Sequence, residues 1–200
     1  FGLARVNPKE ILVGIAGDHI SGIDVDGFSE VRNPTTGIEE RDCRRVRKRA
    51  MKQSLPGDVE ILHTFIKEYV VNDRGGITDP AGLFGHQLGV KMHLVTSSVE
   101  AANNIFRCMR NAGMRTSSVV LQSVASSLAV LSDKERQMGV VLLDIGGGTT
   151  DIAIFQNETL QHVSEIAMGG DIITQDISKI LKISGHDSEN MKKKFGHAVP

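Results

Sequence analysis

The sequence of 200 residues has few cysteines and no recognisable set of metal ligands. Cys43 and Cys108 lie far apart without CxxC spacing, which argues against a disulfide framework or a zinc site. The seven histidines lack a ligand pattern such as HExxH. No apolar run approaches the roughly 18 residues of a membrane span, and no signal peptide is visible. These absences favour a protein of a reducing cytosol.

The chain also lacks an excess of charge of either sign. Its formal net charge is −1, so the whole chain offers no electrostatic reason to expect nucleic acid as a partner. One local exception is a dense basic run between residues 41 and 52. No aromatic residue interleaves it for base stacking, and acidic residues precede it, so a solvated helix face is favoured over a nucleic-acid patch. A filament contact is the third interpretation. The basic residues are Arg41, Arg44, Arg45, Arg47, Lys48, Arg49 and Lys52.

The pattern of apolar runs, caps and turns in residues 1–113 predicts a compact α+β unit with the order strand, helix, strand, strand, helix. The first helix is expected after Thr36, which has capping-box spacing to Glu39, and the second after Ser97, which has the same spacing to Glu100. The second helix covers residues 99–111 and ends before a glycine. Apolar runs predict strands at residues 11–16 and in the second half of 59–71. Alternation over residues 90–96, with Val90, Met92 and Leu94 on one face, predicts another strand. The composition of residues 21–37 predicts turns with an edge strand.

Beyond Ser117 the pattern changes to short buried strands and helices rich in small residues. An unbroken apolar run over residues 140–143 predicts a strand covered on both faces. The other expected elements are a strand at 119–121, a helix at 123–131, a turn at 132–137, a strand at 152–155, and a helix opened by Gly169 and Gly170 and ended by Gly185.

The segment Asp-Ile-Gly-Gly-Gly-Thr-Thr-Asp, residues 144–151, carries the most information. Three successive glycines leave backbone N–H groups uncovered, so an anion can approach them closely. Thr149 and Thr150 add hydroxyl groups, and Asp144 can hold the water shell of Mg²⁺. Together they predict a phosphate and metal cradle that is neither a Walker A loop nor a GxGxxG turn. The structural alternative is a glycine-rich β-turn without a ligand.

Residues 144–152 resemble the second phosphate motif of the actin, Hsp70 and sugar-kinase superfamily. The run Ser97–Ile105 resembles the FtsA family of bacterial cell-division proteins, as do residues 15–21 and 124–131. This resemblance covers nearly the whole chain. It implies an α/β fold with an α+β insert: a partial actin-like ATPase fold with an inserted strand-helix-strand-strand subdomain of the 1C type. It also implies subdomain 1C at 1–113, part of 1A at 114–137, part of 2A at 138–182 with the phosphate hairpin, and the start of 2B at 183–200.

The resemblance also implies roles for individual residues. Asp144 is expected near Mg²⁺, through water, and Gln122 resembles a water-positioning glutamine, which is the weakest match. Glu189 and Lys192 keep the spacing of the helix that contacts the nucleoside, although an exposed i,i+3 ion pair explains them nearly as well. The expected nucleotide contacts are Gly146, Gly147, Gly148, Thr149, Thr150, Gly169, Gly170, Glu189 and Lys192.

For the parent protein, the resemblance implies binding of ATP with Mg²⁺, at most slow hydrolysis, and self-association into filaments. It implies tethering of the tubulin-like protein FtsZ to the cytoplasmic face of the inner membrane at the division site, through a membrane segment that this chain lacks. The 1C-like unit would recruit later division proteins. The first phosphate loop is expected before residue 1. The alternatives are a related pilus-assembly protein and another ATPase of the superfamily, a chaperone or a kinase.

Overall fold

The computed structural model of the chain describes residues 10–52, 55 and 57–198. The elements follow in the order β1 (Ile11–Ile15), β2 (Ile20–Glu30), α1 (Glu40–Ala50), β3 (Val59–Val71), β4 (Arg74–Ile77), β5 (Gln87–Ser98), α2 (Val99–Asn111), β6 (Thr116–Leu121), α3 (Gln122–Val130), α4 (Asp133–Met138), β7 (Val140–Ile145), β8 (Thr150–Gln156), β9 (Thr159–Ile166), α5 (Gly170–Leu181) and α6 (Gly185–Phe195).

The strands form three separate sheets. β2, β5, β3 and β4 make an antiparallel sheet in that order, and β7, β8 and β9 make a second antiparallel sheet. β1 pairs in parallel with β6, so the four-stranded sheet is inserted between two neighbouring strands. Strand β1, which was predicted as part of the 1–113 unit, thus pairs with a strand beyond residue 113. The four subdomain boundaries stay a prediction.

The four-stranded sheet carries the largest core. The predicted alternation in β5 is confirmed, since Val90, Met92 and Leu94 are buried in one cluster with Val46 and Ala50 of α1. The sheet's other face is also covered, because Val95 belongs to a second cluster that contains residues of β6, β8 and β9. β2 lies at the edge of the sheet, as its composition predicted.

Both predicted capping boxes of the first unit are displaced along the chain. Thr36 lies in a turn, where its N–H donates to the carbonyl of Asn33 at 3.1 Å. Helix α1 instead begins after Glu39, which forms a reciprocal capping box with Asp42. Helix α2 is capped by Ser98, whose hydroxyl accepts from the N–H of Ala101. Ser97, the predicted cap, is a buried residue of β5.

Four predictions for the second half are also corrected. Residues 132–137 form most of helix α4 with its cap, since Ser132 and Glu135 make a capping box. β7 is half exposed, because a strand alternates its side chains between two faces and the described residues cover only one of them. Helix α5 ends at Leu181, before the left-handed Lys182, and Gly185 begins α6. β9 was not predicted, because its alternating polar composition resembles a loop.

The predicted α/β class with an α+β insert is confirmed, and the strand-helix-strand-strand insert is built from β2, α1, β3 and β5. None of the helices in the described residues is both long enough and apolar enough to cross a membrane.

Candidate phosphate-binding site

The glycine-rich segment connects β7 to β8 as a tight hairpin loop. Asp144 lies opposite Asp151, and Ile145 lies opposite Thr150, so the two strands stay paired up to the loop. The N–H of Gly146 donates to the carbonyl of Thr149 at 2.9 Å, which closes the loop. We refer to residues 146–149 as the phosphate loop.

The phosphate loop is bonded to the start of α5. The carbonyl of Gly146 accepts from the N–H of Gly170 at 2.9 Å, and that of Gly147 accepts from Asp171 at 2.8 Å. A Cβ at Gly169 would overlap these two carbonyl oxygens, so only glycine allows the approach. The structure therefore brings Gly169 and Gly170 to the predicted loop.

The outward side of the phosphate loop presents unused hydrogen-bond donors. Within the described part of the chain, no acceptor is bonded to the N–H groups of Gly147, Gly148 and Thr149. A Cβ at Gly148 would meet no protein atom within 4 Å, so this side of the loop is open. The hydroxyl of Thr150 donates to the carbonyl of Met168 at 2.7 Å, and this bond fastens the loop to the segment before α5. Backbone groups, rather than the Thr150 hydroxyl, are thus the available donors.

Carboxylates lie beside the loop on one face of the three-stranded sheet. Asp144, Asp151 and Glu165 are direct neighbours across β7, β8 and β9, and such neighbours share a face. Burial and the nearby Asp144 raise the pKa of Asp151, and burial and Asp151 raise the pKa of Glu165. Asp171 adds a carboxylate that approaches Gly147, since a Cβ built there would lie 3.1 Å from it. A bound cation would offset this negative charge.

These carboxylates do not form a direct metal cage. In residues 10–52, 55 and 57–198, no three His, Cys, Asp or Glu side chains are placed to hold one ion. Asp144 accepts a hydrogen bond from Ser126 at 3.3 Å and has a second oxygen that can face water. This arrangement suits Mg²⁺, which keeps several of its own waters and needs only one or two carboxylates beside phosphate oxygens.

Gln122 begins helix α3, directly after β6. A Cβ at Gly14 of β1 would lie 3.2 Å from its Cγ, so the side chain lies against the end of the parallel strand pair. Ser126, one helical turn further on, bonds to Asp144. Residues four apart share a helix face, so α3 directs Gln122 towards the side of the phosphate loop.

Glu189 and Lys192 do form the ion pair that their spacing allows, with 2.7 Å between Nζ and Oε2. Lys192 also donates to the carbonyl of Gly170 at 3.0 Å, and Glu189 accepts from Thr174 of α5. Hydrogen bonds from Lys192 and Thr174 lower the pKa of Glu189 to about 2. The pair therefore ties α6 to the start of α5, next to the loop.

No role was predicted for Asp151, Glu165 or Asp171. Asp151 closes the motif itself, so it carried a local signal. Glu165 and Asp171 carried none, since strand register alone places Glu165 beside Asp151 and the docking of α5 brings Asp171 to the loop.

Two family models match the chain. The model described as the SHS2 domain inserted in FtsA matches residues 17–96, which include β2, α1, β3, β4 and most of β5. The model described as cell division protein FtsA matches residues 141–200, which include the phosphate loop. The matches thus contain both the inserted sheet and the candidate site.

Named relatives agree with these models. Cell division protein FtsA of Pseudomonas aeruginosa is 36% identical over 187 residues, which are 94% of this chain and 44% of that protein. The Bacillus subtilis protein of the same name is 38% identical over 190 residues, with coverages of 95% and 43%. This chain therefore spans less than half the length of these relatives.

A solved structure shares the fold. The structure titled PilM-PilN type IV pilus biogenesis complex matches with a TM-score of 0.60 and 16% identity. The match covers 96% of this chain and 53% of that chain. At this identity the likeness concerns the fold and does not favour the pilus-assembly alternative.

Proposed function

The chain belongs to the FtsA family of cell-division proteins, and we propose that it supplies part of the ATP site and the inserted interaction unit of an actin-like division protein. In this proposal the phosphate loop binds the phosphates of ATP. The observation that carries it is the set of N–H donors at Gly147, Gly148 and Thr149, which have no acceptor among the described residues. Oriented backbone N–H groups of this kind form anion sites.

The neighbouring elements support the assignment. The carbonyls of Gly146 and Gly147 accept hydrogen bonds from the first two N–H groups of α5. The loop is therefore held in one position before a ligand binds. Lys192, which is paired with Glu189, donates to the carbonyl of Gly170 and so fixes α6 where the loop meets α5. Preorganised donors of this kind lose little entropy when they bind.

We propose that Mg²⁺ binds beside Asp144 through the water molecules of its own hydration shell. When bound, the ion would neutralise phosphate oxygens and offset the carboxylates of Asp151 and Asp171. Gln122 can orient a water molecule but cannot take up a proton. Hydrolysis is therefore expected to be slow, with ATP acting mainly as a conformational ligand.

The inserted unit is proposed to be a docking module. None of the residues assigned to ATP lies in β2, α1, β3, β4 or β5. Following the family, it contacts the next protomer in a filament and recruits later division proteins. The whole protein then tethers FtsZ to the cytoplasmic face of the inner membrane at the division site.

The phosphate assignment is tested by Gly147→Val in the full-length protein. A Cβ at Gly147 would already lie 3.1 Å from the Asp171 carboxylate, so a branched side chain there should displace the loop from its bonded position. ATP binding with Mg²⁺, measured by calorimetry, should therefore fall at least about 100-fold. Gly57→Val is the matched control, because a Cβ at Gly57 meets no protein atom within 4 Å. Unchanged ATP affinity in a folded Gly147→Val protein would place the phosphate site elsewhere.

The docking assignment needs a different test. Removal of residues 19–97 deletes the inserted sheet and leaves β1 and β6 to pair. The expected result is nearly intact ATP binding and loss of self-association in sedimentation. Loss of ATP binding with filaments preserved would refute the assignment, since it would place the unit in the nucleotide cleft.

A further inference from the structure

A groove on the inserted unit lies between the end of β2 and helix α1. No residue of the phosphate loop lines it, so it is separate from the proposed ATP site. We call it the arginine groove. Its lining residues are Ser29, Glu30, Val31, Arg32, Arg45 and Arg49.

Ser29 provides the first observation that points to a ligand. Ser29 is 5% exposed, and its hydroxyl is buried without a hydrogen-bond partner among the described residues. A buried hydroxyl without a hydrogen-bond partner destabilises the folded protein. Ser29 lines the groove, so a ligand there would lie next to the residue whose hydroxyl lacks a partner.

Arg45 is held in position on the wall of the groove. Its guanidinium donates to the carbonyl of Glu30 and to the Asp42 carboxylate, both at 2.6 Å. Asp42 is 2% exposed. Burial by itself would raise the pKa of Asp42, but hydrogen bonds from the Glu39 N–H and Arg45 outweigh it and lower that pKa. The carboxylate therefore stays charged and fixes the arginine.

Arg32 and Arg49 supply the charge that is still available. Neither guanidinium has a carboxylate partner in the part of the chain that the structure describes, whereas Arg41, Arg44 and Arg47 on α1 each pair with glutamate. Arginine presents a planar fork of donors that matches carboxylate or phosphate oxygens.

The net charge of the groove indicates the charge of the ligand that it would bind. The three arginines of the groove face two carboxylates, Glu30 at its rim and Asp42 behind Arg45, which leaves one net positive charge. A singly charged oxyanion neutralises this charge, whereas a doubly charged phosphate exceeds it.

We infer that the arginine groove is a binding site for a carboxylate, which accepts hydrogen bonds from the Ser29 hydroxyl and from the Arg32 and Arg49 guanidinium groups. A carboxylate takes up such forks in two parallel bonds, which gives directional as well as electrostatic selection. The site would bind the carboxylate of an acidic side chain or of a carboxyl terminus in the ligand. Its test does not depend on ATP.

The experiment is an NMR titration of this chain, labelled with ¹⁵N, with sodium acetate replacing sodium chloride at constant ionic strength. Saturable shifts are expected at the Ser29 amide and at the Arg32 and Arg49 side-chain Nε–Hε groups. The double variant Arg32→Gln, Arg49→Gln should weaken acetate binding roughly tenfold or more, and Ser29→Ala a few-fold. The backbone N–H of Arg32, which bonds to Asp42, is retained in the double variant.

Lys48→Gln is the matched control, because Lys48 is exposed on the same helix and does not line the groove. It removes one positive charge and should leave acetate affinity unchanged. An equal loss with Lys48→Gln, or identical shifts with chloride, would show diffuse charge attraction and overturn the inference. Tighter binding of inorganic phosphate than of acetate at the same residues would overturn the assignment to a singly charged ligand.

Discussion

The inserted sheet and the hairpin sheet of β7, β8 and β9 differ in how they bury apolar side chains. In the inserted sheet, Val90 and Leu94 are fully buried under α1, and the opposite face of β5 is covered as well. In the hairpin sheet, every second residue of β7 is exposed, including Leu143 at 53% and Ile145 at 67%. None of the residues in α5 is buried.

This difference separates a unit that completes its own core from a unit that leaves an apolar surface. Contiguous apolar surface of this kind usually marks a contact with more protein. The inserted sheet is therefore expected to hold most of this chain's stability, while the hairpin sheet carries the proposed phosphate loop on a frame with one uncovered face.

The sharpest test of the comparison is a pair of identical substitutions. Leu94→Ala removes a fully buried side chain from the inserted sheet and should lower the free energy of unfolding by about 2–5 kcal/mol. Leu143→Ala on the exposed face of β7 should change it by less than about 1 kcal/mol. Urea unfolding of both variants measures the difference, and equal losses would contradict the comparison.

A second pair tests the packing of α1. A Cβ at Gly27 of β2 would lie 2.8 Å from the Cβ of Ala50 and from the carbonyl oxygen of Val46. Gly27→Ala should therefore push α1 away from the sheet and cost about 1–3 kcal/mol.

Gly185→Ala in α6 is the matched change in the other half of the chain. A Cβ there meets no protein atom within 4 Å, and alanine favours a helix, so the variant should be neutral or more stable by up to about 1 kcal/mol. The midpoint temperature of thermal unfolding measures both effects. A shift in the same direction for both variants would argue against tight packing at Gly27.

The smallest expected effect concerns the junction of the inserted sheet with β6. Nε2 of His63 on β3 accepts from the N–H of Leu121 at 2.9 Å, and burial lowers the pKa of His63. The unfolded chain therefore binds a proton near pH 6.5 before the folded chain does, and stability should fall as pH drops below 6.5. One such group changes the free energy of unfolding by at most about 1.4 kcal/mol per pH unit.

His63→Gln keeps an acceptor but cannot titrate, so it should reduce this slope between about pH 6.5 and pH 5. The slope should not vanish, because burial also lowers the pKa of His93. His186→Gln on the exposed surface of α6 is the control for the loss of a histidine. An unchanged slope in His63→Gln would show that this histidine does not couple protonation to folding.

Local signals predicted much of the fold and part of the site. The alternation in β5, helix α2 and the hairpin with its three glycines were all predicted from neighbouring residues. The helix starts were misplaced because several serines, threonines and acidic residues stand near each one. At α1 the choice of Glu39 over Thr36 depends on Asp42, whose carboxylate is held in the fold by Arg45 and by the backbone of Arg32.

The sequence by itself determined the glycine loop between two strands, because three residues without Cβ need no distant partner to leave their N–H groups open. It also determined the family, through motifs spread over the whole chain. Only the tertiary structure decided that β1 pairs with β6, that Glu165 lies beside Asp151, that Asp171 reaches the loop, and that Ser29 and three arginines share one groove. Strand register and helix docking bring together residues that are far apart in the chain, and no local pattern records such distances.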